Sequence, residues 1–215
     1  MKEIITVDVT RIGHELGVPE VEFTPPVPGA KPMMQQIWSA EWVEKTIDAL
    51  KKYKEEGARV SLFGHLDTWV CMAITDALQP ECECFFSTPN HDPEDTFTDL
   101  PIYEVKYGTP DPALKYQHTV REDGDFLFVD FDIDESIDWN YLVTDVVRDL
   151  TIPDIPEGKI LCAYSSAKYP LQWVVLNNYA KKCRALFCAG HTDAEYHCAI
   201  PGDSGYHLGD GIPRK

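Results

Sequence analysis

The chain is short of positive charge. Over 215 residues, 19 Lys and Arg stand against 36 Asp and Glu, for a formal net charge of −17. A long nucleic acid is therefore not an expected partner, because binding one means neutralising many phosphates with Lys and Arg. A small anionic ligand stays open, since a few backbone N–H groups at a helix start hold a phosphate without a basic surface. Long apolar runs are also missing. No stretch nears the roughly 20 uninterrupted apolar residues of a membrane span, so no membrane association is expected. The start, Met1-Lys2-Glu3-Ile4, turns polar at once and has no apolar signal region, which leads us to expect a cytoplasmic protein. No GxxxxGK[ST] loop and no GxSxG elbow occur, which argues against nucleoside triphosphate hydrolysis and against an ordinary serine hydrolase.

Paired CxxC motifs are absent as well. The cysteine count is odd: Cys71, Cys82, Cys84, Cys162, Cys183, Cys188 and Cys198. In a reducing compartment these read as small buried apolar residues rather than disulfides or zinc ligands. Cys82-Glu83-Cys84 is the one close pair, and on a strand both sulfurs face the same way. No cofactor and no metal are expected.

What is present is an alternation of strand and helix patterns. Glu3 to Val9 reads as a strand. Pro19 to Pro32 holds five prolines and reads as a long loop. Ser39 stands where a helix cap belongs, and Trp42, Val43, Ile47, Leu50 and Tyr53 mark one face of a helix to about residue 55. Arg59 to Phe63 is a buried strand, Gly64 to Thr68 a turn, and a helix follows to Leu78. Cys82 to Ser87 and Ile102 to Lys106 are further strands. The segment from Gly108 to Gly124 reads as a linker. Then the order returns: a strand over Asp125 to Ile133, a helix capped by Ser136, a strand over Lys159 to Tyr164, a turn over Ser165 to Lys168, a helix opened by Pro170, and strands over Arg184 to Ala189 and Ala194 to Ile200. The tail from Gly202 reads as irregular.

The local sequences echo the repetition. Ile5-Thr6-Val7-Asp8-Val9 parallels Leu127-Phe128-Val129-Asp130-Phe131, and Trp69 and Trp173 sit early in matching helices. The expected fold is α/β, with two similar β-α-β-α-β-β units related by a pseudo-twofold. The first repeat unit is residues 1–108, the linker 109–124 and the second repeat unit 125–215. One chain would then imitate a homodimer, with further self-association or a protein partner still open.

Chemistry has three candidate seats. Asp130, Asp132 and Asp134 resemble a calcium loop only superficially, because Glu135 occupies the glycine position and Tyr141 the bidentate glutamate position. Strand alternation accounts for them, with Val129, Phe131 and Ile133 turned inward. His191, Asp193, His197, Cys198, Asp203 and His207 are metal-ligand types without a zinc spacing, and a metal-dependent hydrolase using His191, Asp193 and His197 is one reading. The strongest seat is the pair of turns between a buried strand and a helix start, where α/β proteins place ligands. Gly64 allows close backbone approach, and Thr68 starts the helix. His65 and Asp67 have the types of a catalytic base and its orienting acid. Ser165, Ser166 and Lys168 suit a phosphate.

In the second half a strand at Lys159 to Tyr164, a turn from Ser165 to Trp173, Tyr179 near the helix end, an apolar strand at Ala185 to Ala189 and Gly209-Asp210 follow in order. On these residues it resembles the small CRISPR-associated ring nucleases of type III systems, which cleave cyclic tetra-adenylate. Gly64, Trp69 and Glu83 to Phe86 echo it in the first half. The resemblance implies a protein of antiviral signalling that binds a small cyclic oligonucleotide between its halves. Ala180-Lys181 stands where that family has its catalytic His, and Gly190-His191-Thr192 where it has Asp-Pro-Arg. The resemblance thus implies a kept fold with catalysis lost or moved. Beside this reading stands a non-catalytic protein-interaction module with a degenerate ligand site.

Overall fold

The computed structural model describes residues 3–24, 29, 31–86, 105–112, 115–132, 150–167, 169–190 and 194–214. The first part of the chain runs β1 (Ile4–Asp8), α1 (Val9–Leu16), β2 (Glu20–Phe23), β3 (Met33–Gln36), α2 (Ala40–Glu55), β4 (Arg59–Phe63), α3 (Thr68–Leu78) and β5 (Glu83–Phe86). After β6 (Lys106–Tyr107) come β7 (Gln117–Asp123), β8 (Phe126–Asp132), β9 (Thr151–Ile152), β10 (Ile160–Tyr164), α4 (Tyr169–Ala180), β11 (Ala185–Ala189), β12 (Glu195–Ile200) and β13 (Gly211–Pro213). The fold is mixed α/β, with four helices among the described residues.

Two sheets carry the architecture. One has three parallel strands in the order β1-β4-β5; the other has six in the order β13-β12-β11-β10-β8-β7. Within the larger sheet β8, β10 and β11 are parallel, while β7, β12 and β13 run antiparallel to their neighbours. Both sheets thus contain three parallel strands with the second in chain order at the centre. The central strands read as continuous apolar runs because both faces are covered. Val60, Leu62, Leu161 and Phe187 are all fully buried.

Helices α3 and α4 lie against each other and against strands of both sheets. α3 packs on β5 and also on β11 and β12; α4 packs on β5. The Trp173 ring of α4 meets Phe85 of β5 edge-on at 5.5 Å, and its indole N–H donates to Thr75 Oγ1 of α3 at 3.1 Å. The apolar core is therefore continuous from one sheet to the other. No helix among the described residues is long and apolar enough to cross a membrane.

Several segments differ from the sequence reading. Strand β1 stops at Asp8, which caps α1 by accepting from Arg11 N at 3.0 Å, and Gly17 closes that helix at φ +84°. Gly13 hides α1 in a propensity reading, and its missing side chain leaves room for the Gln36 amide, whose Oε1 would lie 2.6 Å from a Cβ. The proline-rich segment from Pro19 contains strand β2, paired with β3, because no proline falls between Pro19 and Pro25 to interrupt the ladder. Residues 117–123 of the supposed linker form β7, joined to β8 through a two-residue loop in which Gly124 takes φ +60°. The tail contributes β13, which pairs with β12. The helix expected after Ser136 lies outside the described residues.

Candidate functional site

The turn after β4 is built by backbone proximity. Gly64 is buried, and a Cβ there would stand 2.7 Å from Thr10 Oγ1 and 3.1 Å from Thr10 N. This closeness lets the Thr10 hydroxyl accept from His65 N at 2.8 Å, tying the end of β4 to the start of α1. The His65 side chain is exposed. Asp67 is half-buried at the N-cap of α3, and its side chain makes no capping hydrogen bond. Thr68 is buried.

The turn after β10 is built by side chains. Ser165 is buried, and its hydroxyl accepts from Ala167 N at 3.1 Å. Gln172, 2% exposed on α4, donates through Nε2 to Ser165 O at 3.3 Å and to Ala167 O. Its Oε1 accepts from the Thr68 hydroxyl at 2.6 Å, which joins the start of α3 to the start of α4. Every polar group of this amide is therefore engaged, as a buried amide requires. The structure brings the two turns together. The buried Thr68–Gln172 pair joins the two helix starts, and His65 and Ser166 are exposed.

Ser166 opens onto a second feature. Its hydroxyl donates to Asp132 Oδ2 at the end of β8. Both residues line a cavity of about 120 Å³, with His118 and Thr119 of β7 on one side and Tyr164 of β10 on another. The side-chain alternation of β8 produces this placement. Val129 and Phe131 are buried, whereas Asp130 is exposed and Asp132 half-buried at the strand end. Lys168 lies outside the described residues.

The metal reading finds little here. His191 and Asp193 lie outside the described residues. His197 of β12 is half-buried with its ring 5.5 Å from that of Trp69 and Nδ1 3.5 Å from Gly209 O. Among the described residues no group of three His, Cys, Asp or Glu is disposed to hold a metal. All seven cysteines are free thiols, six of them buried. Burial pushes Cys84, Cys162, Cys183 and Cys198 up to about 12, which keeps these thiols protonated and unreactive.

Three residues that build these turns carry no such role in the sequence reading: Thr10, Asp132 and Gln172. Thr10 lies just past the expected first strand, Asp132 reads as a solvent-facing strand residue, and Gln172 carries no motif. Their roles come from partners distant in sequence. Protein-family models, curated proteins and solved structures give no match to this chain.

Proposed function

We propose that this protein binds a small cyclic oligonucleotide of the oligoadenylate class across its two strand-to-helix turns and cleaves it, as a ring nuclease of CRISPR antiviral signalling in the cytoplasm. The observation that carries the reading is the Thr68–Gln172 hydrogen bond, which brings the starts of α3 and α4 side by side. Two neighbouring helix starts offer N–H groups and positive dipole ends to phosphates, even on a chain of net charge −17. The common order of the parallel strands in the two sheets supports descent of the halves from one unit, related by a pseudo-twofold. Such a relation suits a ligand with repeated phosphates.

In this reading Ser166 and the backbone of the second turn hold a phosphate, and the turn of Gly64 and His65 faces it. Cleavage uses the ligand's own 2′-hydroxyl as nucleophile, which needs positioning and a base. The test is titration with cyclic di-, tri-, tetra- and hexa-adenylate, read by calorimetry and by anion-exchange chromatography of the products. Saturable binding of one ring size with linear product is expected. Absence of binding to all four overturns the proposal.

A second reading, a protein-interaction module, is favoured by one observation. The β2–β3 ribbon and the residue after it expose Val21, Met33, Met34 and Ile37, with Met34 55% accessible. A protein partner with an apolar groove is the expected occupant. Retention of one stoichiometric partner by the native chain, lost in Met34→Lys, supports this reading; a monodisperse, partner-free chain removes it.

A further inference from the structure

We propose that two copies of this chain pair edge to edge through β7, antiparallel about a twofold axis at Val120, and so join their six-stranded sheets into one. The inference stands apart from the ligand reading above.

The case starts from the edge itself. β7 is the outermost strand at one end of its sheet, and among the described residues it pairs with β8 alone. An edge strand presents a row of N–H and C=O groups on which another strand can build. Folded proteins blunt such edges by keeping them short, or with proline, lysine or a bulge. The opposite edge of the same sheet is blunted in this way, since β13 has three residues and the last is Pro213. β7 carries none of these devices. It runs Gln117–Asp123, holds neither Pro nor Lys, and keeps unbroken register with β8 along its whole length. Outside that ladder, no backbone hydrogen bond of residues 117–123 forms among the described residues. Every residue of the strand except His118 is exposed.

Alternation divides the strand into two faces. His118, Val120 and Glu122 stand opposite Phe131, Val129 and Leu127 of β8, which are all buried. Gln117, Thr119, Arg121 and Asp123 take the other face. Val120 is thus an apolar residue on the core face of the sheet, yet it is 44% accessible. That exposure marks an open flank on the outer side of the strand.

The order of residues in β7 selects a second copy as the occupant. Val120 is the middle residue of Gln117–Asp123. In an antiparallel pair centred there, residues equally distant from Val120 face each other and lie on the same face of the sheet. The two Val120 side chains meet at the axis, within the roughly 5 Å that separates the Cβ atoms of a cross-strand pair. His118 then faces the partner's Glu122, Thr119 faces the partner's Arg121 and Gln117 faces the partner's Asp123. No like charges stand directly opposite one another. An axis at Arg121, Glu122 or Asp123 would instead set that residue against its own copy, which is destabilising. One strand pair buries less than the roughly 1,600 Å² of a standard stable interface, so the dimer is weak and reversible.

The experiment is sedimentation velocity of the full chain into the high micromolar range, at about 0.15 M salt to screen the net charge of −17. A concentration-dependent monomer–dimer equilibrium is expected. Val120→Lys and Val120→Asp each replace the apolar pair at the axis by two like charges and should weaken the dimer about tenfold. Their circular dichroism should stay native, because position 120 is exposed. An equimolar mixture of the two variants should restore the dimer, since Lys meets Asp across the axis only when that axis lies at residue 120. A native chain that stays monomeric, a dimer indifferent to both substitutions, or a mixture no tighter than its components overturns the proposal. Where both variants fail to fold, amide exchange of the native chain decides. Exchange across residues 117–123 that slows with rising concentration supports β7 as the interface, and exchange there that does not change overturns it.

Discussion

The turn after β4 and the turn after β10 occupy matching places in the two sheets, yet they are held by opposite means. The first depends on the absence of a side chain. Gly64 lets the chain pass so close to Thr10 that a main-chain N–H finds a threonine hydroxyl from α1. The second depends on a particular side chain, since Gln172 reaches back from its own helix to two carbonyls and forward to the other helix. Backbone proximity shapes a turn rigidly but leaves its exposed side chains little support. A side-chain network holds the turn and couples it to its neighbour, so a change at Gln172 reaches both halves.

The largest effect expected on that comparison comes from the layer beneath both turns. Trp173→Ala removes the ring that meets Phe85 and the N–H bound to Thr75, and should cost about 3–5 kcal/mol in urea unfolding. Survival of native stability would mean that the two sheets do not share one core. Next, Gln172→Leu leaves Thr68 Oγ1 and two turn carbonyls without their partner and should cost about 2–3 kcal/mol. Combined with Thr68→Val the loss should fall short of the sum, and strict additivity in that double-mutant cycle would break the coupling argued here.

Gly64→Ala forces its methyl against Thr10 and should cost about 1–3 kcal/mol, with the change in amide exchange confined to α1 and the first turn. A change spread equally over both turns would contradict the contrast. A further probe is acid. His118 has a folded pKa below its unfolded one, so the unfolded chain binds more protons between the two values. Its contribution is intact above about 6.5 and is lost as pH falls through the folded value. His118→Gln should flatten that part of the stability–pH curve, whereas His65→Gln, at an exposed position, serves as the comparison. The smallest contrast is between caps. Asp8→Ala should cost about 1 kcal/mol because its carboxylate accepts from Arg11 N. Ser39→Ala should stay within about 0.5 kcal/mol, since Ser39 makes no side-chain cap bond.

Much of the framework was readable from residue order. Arg59–Phe63 and Thr68–Leu78 lie where the pattern puts them, because an apolar run followed by a polar turn and an apolar helix leaves few alternatives. The inward set of β8, Val129 and Phe131, follows from alternation alone. The missed strands share a cause. β2, β7 and β13 carry exposed, polar or short segments whose strand state is imposed by a partner strand rather than by their own periodicity. Within the site, the two turns were legible from their place after buried strands. Gln172, Asp132 and Thr10 were not, since a hydrogen bond between residues 68 and 172 leaves no local trace in either segment.

Sequence alone determined the acidic balance, the alternation of strand and helix, the burial of the cysteines and the position of each turn, because these depend on composition and on spacing along one element. Tertiary structure decided which turns meet, which amide ties them together and which tyrosine a half-buried histidine touches. Those outcomes depend on where separate elements come to rest against one another, and a hydrogen bond of about 3 Å is decided by that packing.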